Sequence, residues 1–203
     1  MDWQVVSKKS KSRIRSHQTS TASSLYKVSF LSFCDTISAS KKDKSLISLS
    51  EKCSEICEGT IIAVGIGNFS SALYSTSQQA LYELLIQDKG QIGVFFDPGY
   101  LPSEVEYLEE QKWQVNQGVF NQEQTGSCTF FMIHCHYSLY ETLLSSPWVS
   151  QCRVTIIGNS LNDMVSKFKQ PSAISIASTF HSSKLETIDL AFVDTFISKN
   201  FTP

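Results

Sequence analysis

No apolar run in this 203-residue chain reaches the roughly 18 residues that a transmembrane helix requires, and Thr129-Phe130-Phe131-Met132-Ile133 is broken at once by His134. No membrane partner is expected. An apolar leader segment is also missing after Met1, which leads us to expect a cytoplasmic or nuclear location, or both. None of the six cysteines forms a Cys-x-x-Cys pair, so the spacing offers no structural zinc site, and thiols in a reducing compartment are not expected to form a disulfide framework. With only nine Gly and five Pro, 41% hydrophobic and 18% charged residues, the chain is neither collagen-like nor wholly disordered. It is long enough for one ordinary domain and an appendage.

Net charge is also small, at −2, but it is unevenly placed. Lys8, Lys9, Lys11, Arg13 and Arg15 stand against Asp2 alone in the first sixteen residues, while the rest of the chain holds 12 basic and 18 acidic residues. The Ser-rich, basic residues 1–24 are expected to be a disordered tail. That tail can be an import signal, a contact for an acidic partner, or a solvated arm with no receptor. An acidic body argues against nucleic acid as a partner of the folded domain, whose footprint would have to be basic.

The pattern within residues 25–203 is that of a single α/β domain. Leu25, Val28, Leu31 and Phe33 mark one helix; Leu46, Leu49, Cys53 and Ile56 mark a second, beyond Ser40-Lys41-Lys42-Asp43. From Thr60 onward, β-branched runs alternate with helical stretches. The strands are expected at Thr60–Val64, Ile92–Phe96, Gln114–Val119, Cys128–Ile133, Arg153–Ile157 and Ala173–Ala177. Helical stripes fall at Leu73, Ser77, Ala80 and Leu84, at Val105 to Glu109, at Leu139 to Leu144 and at Leu161 to Phe168. Thr187 to Phe196 fits neither period. This predicts a three-layer, Rossmann-like fold with a mostly parallel sheet and helices on both faces, preceded by two helices and the tail.

In such a sheet the loops after strands share one edge, and here those loops hold the residues least suited to being mere connectors. Gly65 and Gly67 allow a sharp turn and a close backbone approach to a phosphate or carboxylate, with Asn68, Ser70 and Ser71 beside them. Ser70 stands where a dinucleotide fingerprint has its third glycine, and Ser70 or Ser71 can cap the next helix. A tight turn without a ligand is the alternative. Asp97 ends the second strand, 27 residues after Ser70 where about 20 is usual, and can hydrogen-bond a ribose or cap its own turn. Alternation puts His134 and His136 on one face, where they are weak candidates for acid–base work or a shared metal; no third metal ligand has a recognised spacing. Gly158, Asn159 and Ser160 form another close-approach turn or a capped turn alone.

These loops also carry a resemblance. Gly65-Ile66-Gly67-Asn68-Phe69-Ser70-Ser71 with Gln79-Ala80-Leu81, Phe96-Asp97-Pro98, Phe130 to Cys135 with Leu139 to Leu144, and Ile156-Ile157-Gly158-Asn159-Ser160 resemble the sensitivity to red light reduced (SRR-like) domain family. The likeness covers about residues 55–165, and Asp2-Trp3-Gln4-Val5-Val6 before a basic run is similar as well. Family members commonly have Pro around the His-Cys pair, whereas Ile133 and His136 stand there in this chain, so a Cys-Pro haem contact is not carried over. The resemblance implies a regulatory protein, linked to circadian-clock input, regulation of haem biosynthesis or microtubule-related processes, and supplies no catalytic residues. The first expectation is therefore a regulator that binds a nucleotide-like small molecule, with S-adenosylmethionine or another nucleotide placed ahead of haem. Gly65, Gly67, Asn68, Ser70 and Ser71 would hold its anionic or polar end, Asp97 a ribose, and His134, Gly158, Asn159 and Ser160 the remainder. A methyltransferase-like enzyme and a ligand-free module for protein partners are the alternatives.

Overall fold

A computed structural model of the chain describes residues 32–118, 120, 122–159, 161 and 164. Residues 32–40 form helix α1, and a turn leads to α2 (Lys44–Ile56). The Asp43 carboxylate starts α2 by accepting from the N–H groups of Ser45 at 2.8 Å and Leu46 at 3.3 Å, which lack partners within the helix. Then follow β1 (Thr60–Val64), α3 (Leu73–Asp88), β2 (Val94–Phe96), α4 (Pro102–Glu110), β3 (Gln114–Asn116), β4 (Ser127–Met132), α5 (Tyr137–Leu144), a 3-10 turn (Pro147–Gln151) and β5 (Arg153–Gly158).

The five strands lie in the order β3-β2-β1-β4-β5, and every pairing is parallel. Alternation along each strand sends side chains into two cores. Ile61, Ala63, Phe95, Phe131 and Ile157 meet α1 to α4 on one face. Ile62, Val64, Phe96, Phe130 and Ile156 meet α5, the 3-10 turn and Phe120 on the other. The Rossmann-like α/β architecture read from the alternating pattern is the one observed.

Two of its strands, β2 and β3, are shorter than the β-branched runs. Ile92 is 59% exposed and β2 starts at Val94. A Cβ on the intervening Gly93 would come within 2.7 Å of Phe95 and 2.9 Å of Trp113, so the backbone there lies directly against aromatic rings. β3 stops at Asn116, and β4 ends at Met132 because residues 133 and 134 turn. The expected basic tail, the strand Ala173–Ala177 and the segment Thr187–Phe196 lie outside the described residues; of the helix expected from Leu161, only Leu161 and Met164 are described, and both are helical.

Helix α3 explains why one stripe understated its burial. Every residue from Thr76 to Glu83 is buried, since α3 has the sheet on one side and α2 on the other. Its buried carboxylate is accordingly bonded inside the protein. Glu83 accepts from Lys41 Nζ at 2.7 Å, Gln79 Nε2 at 3.0 Å and the Tyr107 hydroxyl at 2.8 Å, tying the α1–α2 turn to α3 and α4. Removing the cation by Lys41→Met leaves a buried carboxylate with neutral partners only. The expected loss is about 2 kcal/mol, below the range for a fully buried pair because Lys41 keeps 30% of its side chain in solvent. Urea unfolding reads the loss, and Lys41→Met combined with Glu83→Gln should recover part of it.

Candidate functional site

The strand order places a reversal between β1 and β4. The crossover after β1 runs toward β2 and β3, while β4 and β5 lie on the other side, so the connections leaving β1 and β4 diverge at the carboxyl edge. Open α/β sheets hold ligands in the crevice such a reversal leaves.

One wall of the crevice is the connection from Gly65 to Ala72. Ile66 and Phe69 are buried in the core beneath it, Phe69 edge-on to Phe33, Tyr100 and Tyr107. Gly65 and Gly67, with φ of 70° and 79°, let the chain pass between these anchors in a left-handed conformation that a side chain would strain. Gly65 is also tight, as a Cβ there would stand 2.8 Å from Cys135 Sγ. The expected helix cap is corrected: α3 starts at Leu73 behind Ala72, which has no capping side chain. Ser70 is engaged elsewhere, and the Asn68 carbonyl accepts from Ser71 and Ala72 instead.

Two carboxylates hold this connection. Asp97 Oδ2 accepts from Gly67 N at 2.7 Å and its Oδ1 from Gly99 N at 2.7 Å, so one side chain fixes the loops after β1 and β2 together. Glu104, fully buried on α4, accepts from Ser70 N at 2.7 Å and Ser70 Oγ at 2.9 Å through Oε1. Its Oε2 accepts from Leu101 N at 2.7 Å and so also starts its own helix.

The opposite wall follows β4 and β5. His134 is exposed in a left-handed turn, φ 56°, and Asn159 holds it there by accepting from His134 N at 3.1 Å and donating to the Cys135 carbonyl at 3.2 Å. The expectation that strand alternation aligns the two imidazoles is therefore corrected: β4 has ended, and His136 instead caps α5, its Nδ1 3.4 Å from Ser138 N. Cys135 donates to the Val64 carbonyl at 3.0 Å, and burial, with Asp97 nearby, pushes its thiol up to about 12. Such a thiol is neutral at physiological pH and is no nucleophile. Tyr140 donates to the Met132 carbonyl and accepts from Asn159 N at 2.7 Å, so its hydroxyl joins the ends of β4 and β5. Among the described residues, no group of three or more His, Cys, Asp or Glu is placed to hold a metal.

Gly65, Gly67, Asn68, Ser70 and Asp97 are thus brought together on one wall and His134, Gly158 and Asn159 on the other. Ser71 is exposed at the outer end of its loop, and Ser160 lies outside the described residues. Beneath α5, a cavity lined by Val64, Phe120, Phe130, Met132, Leu139, Thr142 and Leu143 measures about 10 Å³, room for no more than about one water. The family model of the SRR1 domain matches residues 36–199. The chain belongs to the SRR1 domain family. Comparison with curated proteins and with solved structures returns no match.

Within this SRR1 domain, sequence reasoning missed Glu104 and Tyr140. Glu104 had a readable signal, since Leu101-Pro102-Ser103-Glu104 puts Pro at the first helical position and an acid two residues later, the usual opening of a helix. Tyr140 had none: an aromatic on a helical stripe reads as core, and only the fold aims its hydroxyl at two strand ends.

Proposed function

We propose that this SRR1 domain is a regulatory protein that holds a nucleotide-like small molecule across the carboxyl edge of its sheet. The observation that carries the reading is the Asp97 clamp at the topological reversal. The residue that follows β2 fixes the glycine turn after β1, and each of its oxygens retains a second lone pair with which a ribose hydroxyl can bond. A holding role is favoured over chemistry because three polar groups at the edge, those of Cys135, Tyr140 and Asn159, are engaged with backbone partners.

Thermal melts with S-adenosylmethionine, NAD, ATP and haem test this directly. At 100 times its dissociation constant, a ligand of the native state adds about 2.7 kcal/mol, several degrees in a domain of this size. A panel that leaves the transition unmoved sinks the reading. Gly67→Asp, verified as folded by circular dichroism, should abolish any shift, since it puts bulk and charge into the turn. Transfer of a labelled methyl group from S-adenosylmethionine to an acceptor in lysate would favour the methyltransferase-like alternative.

A further inference from the structure

We infer that this edge selects nucleosides or cationic nucleoside derivatives and rejects their phosphorylated forms. The inference rests on the ligand-holding reading above and names the chemistry of its ligand. A phosphate-binding turn offers backbone N–H groups to an anion. In this chain five of the N–H groups between residues 65 and 72 are already taken. Gly65 N donates to the Phe96 carbonyl at 3.0 Å, Gly67 N to Asp97, Ser70 N to Glu104, and Ser71 N and Ala72 N to the Asn68 carbonyl at 3.4 and 3.1 Å.

Two of those acceptors are carboxylates, so the anion that a phosphate would supply is built into the protein. Asp97 is 6% exposed and Glu104 is fully buried, which leaves little water to screen either charge from a ligand lying on the turn. Compensation is missing too. None of the connections that follow strands, residues 65–72, 97–101, 117–126, 133–136 and 159, contains Lys or Arg. The Ser70 hydroxyl, which would otherwise serve a phosphate oxygen, is held by Glu104 at 2.9 Å. A ribose hydroxyl donates where a phosphate only accepts, and a sulfonium or ammonium substituent is attracted by the same two carboxylates.

The test is a titration series on the full chain by calorimetry at low and moderate salt. It uses adenosine, guanosine, cytidine and uridine, each with its 5′-monophosphate and 5′-diphosphate, together with S-adenosylmethionine. For whichever base binds, affinity should fall by about tenfold or more from nucleoside to diphosphate, and the gap should narrow as salt rises. Asp97→Asn, which removes one charge, should narrow the same gap. A diphosphate that binds as well as its nucleoside overturns the inference while leaving the ligand-holding reading intact. If no member of the series binds, that reading fails and this inference falls with it.

Discussion

Gly158→Ala is expected to cost about 4 kcal/mol, a large share of the stability of an ordinary domain. A Cβ built on Gly158 stands 2.2 Å from the Tyr140 hydroxyl and 3.1 Å from two ring carbons. Tyr140 is fully buried, and its hydroxyl is fixed by Met132 and Asn159, so the ring can retreat only by giving up both bonds. Overpacking and two orphaned backbone groups therefore act together. Tyr140→Phe alone removes the bonds without the clash and should cost about 2 kcal/mol. The double variant is the decisive measurement. Without the hydroxyl, the added methyl meets only ring carbons at 3.1 Å, so the double variant should be more stable than the sum of the single losses predicts, by about 2 kcal/mol. Additive losses in urea unfolding would mean that the Tyr140 hydroxyl does not fill the space over Gly158.

This contact also marks the limit of what the sequence displays. Alternation of strand and helix is a local property, so Thr60–Val64 could be placed as β1 and Leu73 and Ala80 assigned to one helix without knowing any partner. Strand ends depend on neighbours. β4 stops at Met132, short of the apolar Ile133, because Asn159, 25 residues away, captures the amide of His134 and stabilises its left-handed turn. Ser70 reads as a helix cap because its type suits one, yet a glutamate 34 residues later takes both its donors. Gly158 reads as an approach point for a ligand, and the group pressed against it is the protein's own tyrosine. The edge that bears the unusual residues was legible; the division of those residues between holding a ligand and holding one another was not.

The protein should also lose stability steeply at alkaline pH, through its buried thiols. Burial pushes Cys53 from its ordinary value of 9.0 up to about 12, helped by neighbouring Cys57, and burial does the same to Cys135, helped by Asp97. Below pH 9 both thiols are protonated in the folded and unfolded chains alike, and their full contribution to stability is present. Between about pH 9 and 12 the unfolded chain sheds these protons while the native protein keeps them. Unfolding is then favoured by about 1.4 kcal/mol per pH unit for each thiol. Burial likewise raises Tyr82, Tyr100, Tyr107 and Tyr140, so the total slope steepens above pH 10. Urea unfolding at pH 7, 9, 10 and 11 measures that slope. Cys53→Ala and Cys135→Ala isolate the thiols: each variant is less stable than the parent at pH 7, yet each should lose about 1.4 kcal/mol less per pH unit above pH 9. Parent and variants falling in parallel would show that these thiols reach the solvent before the protein unfolds.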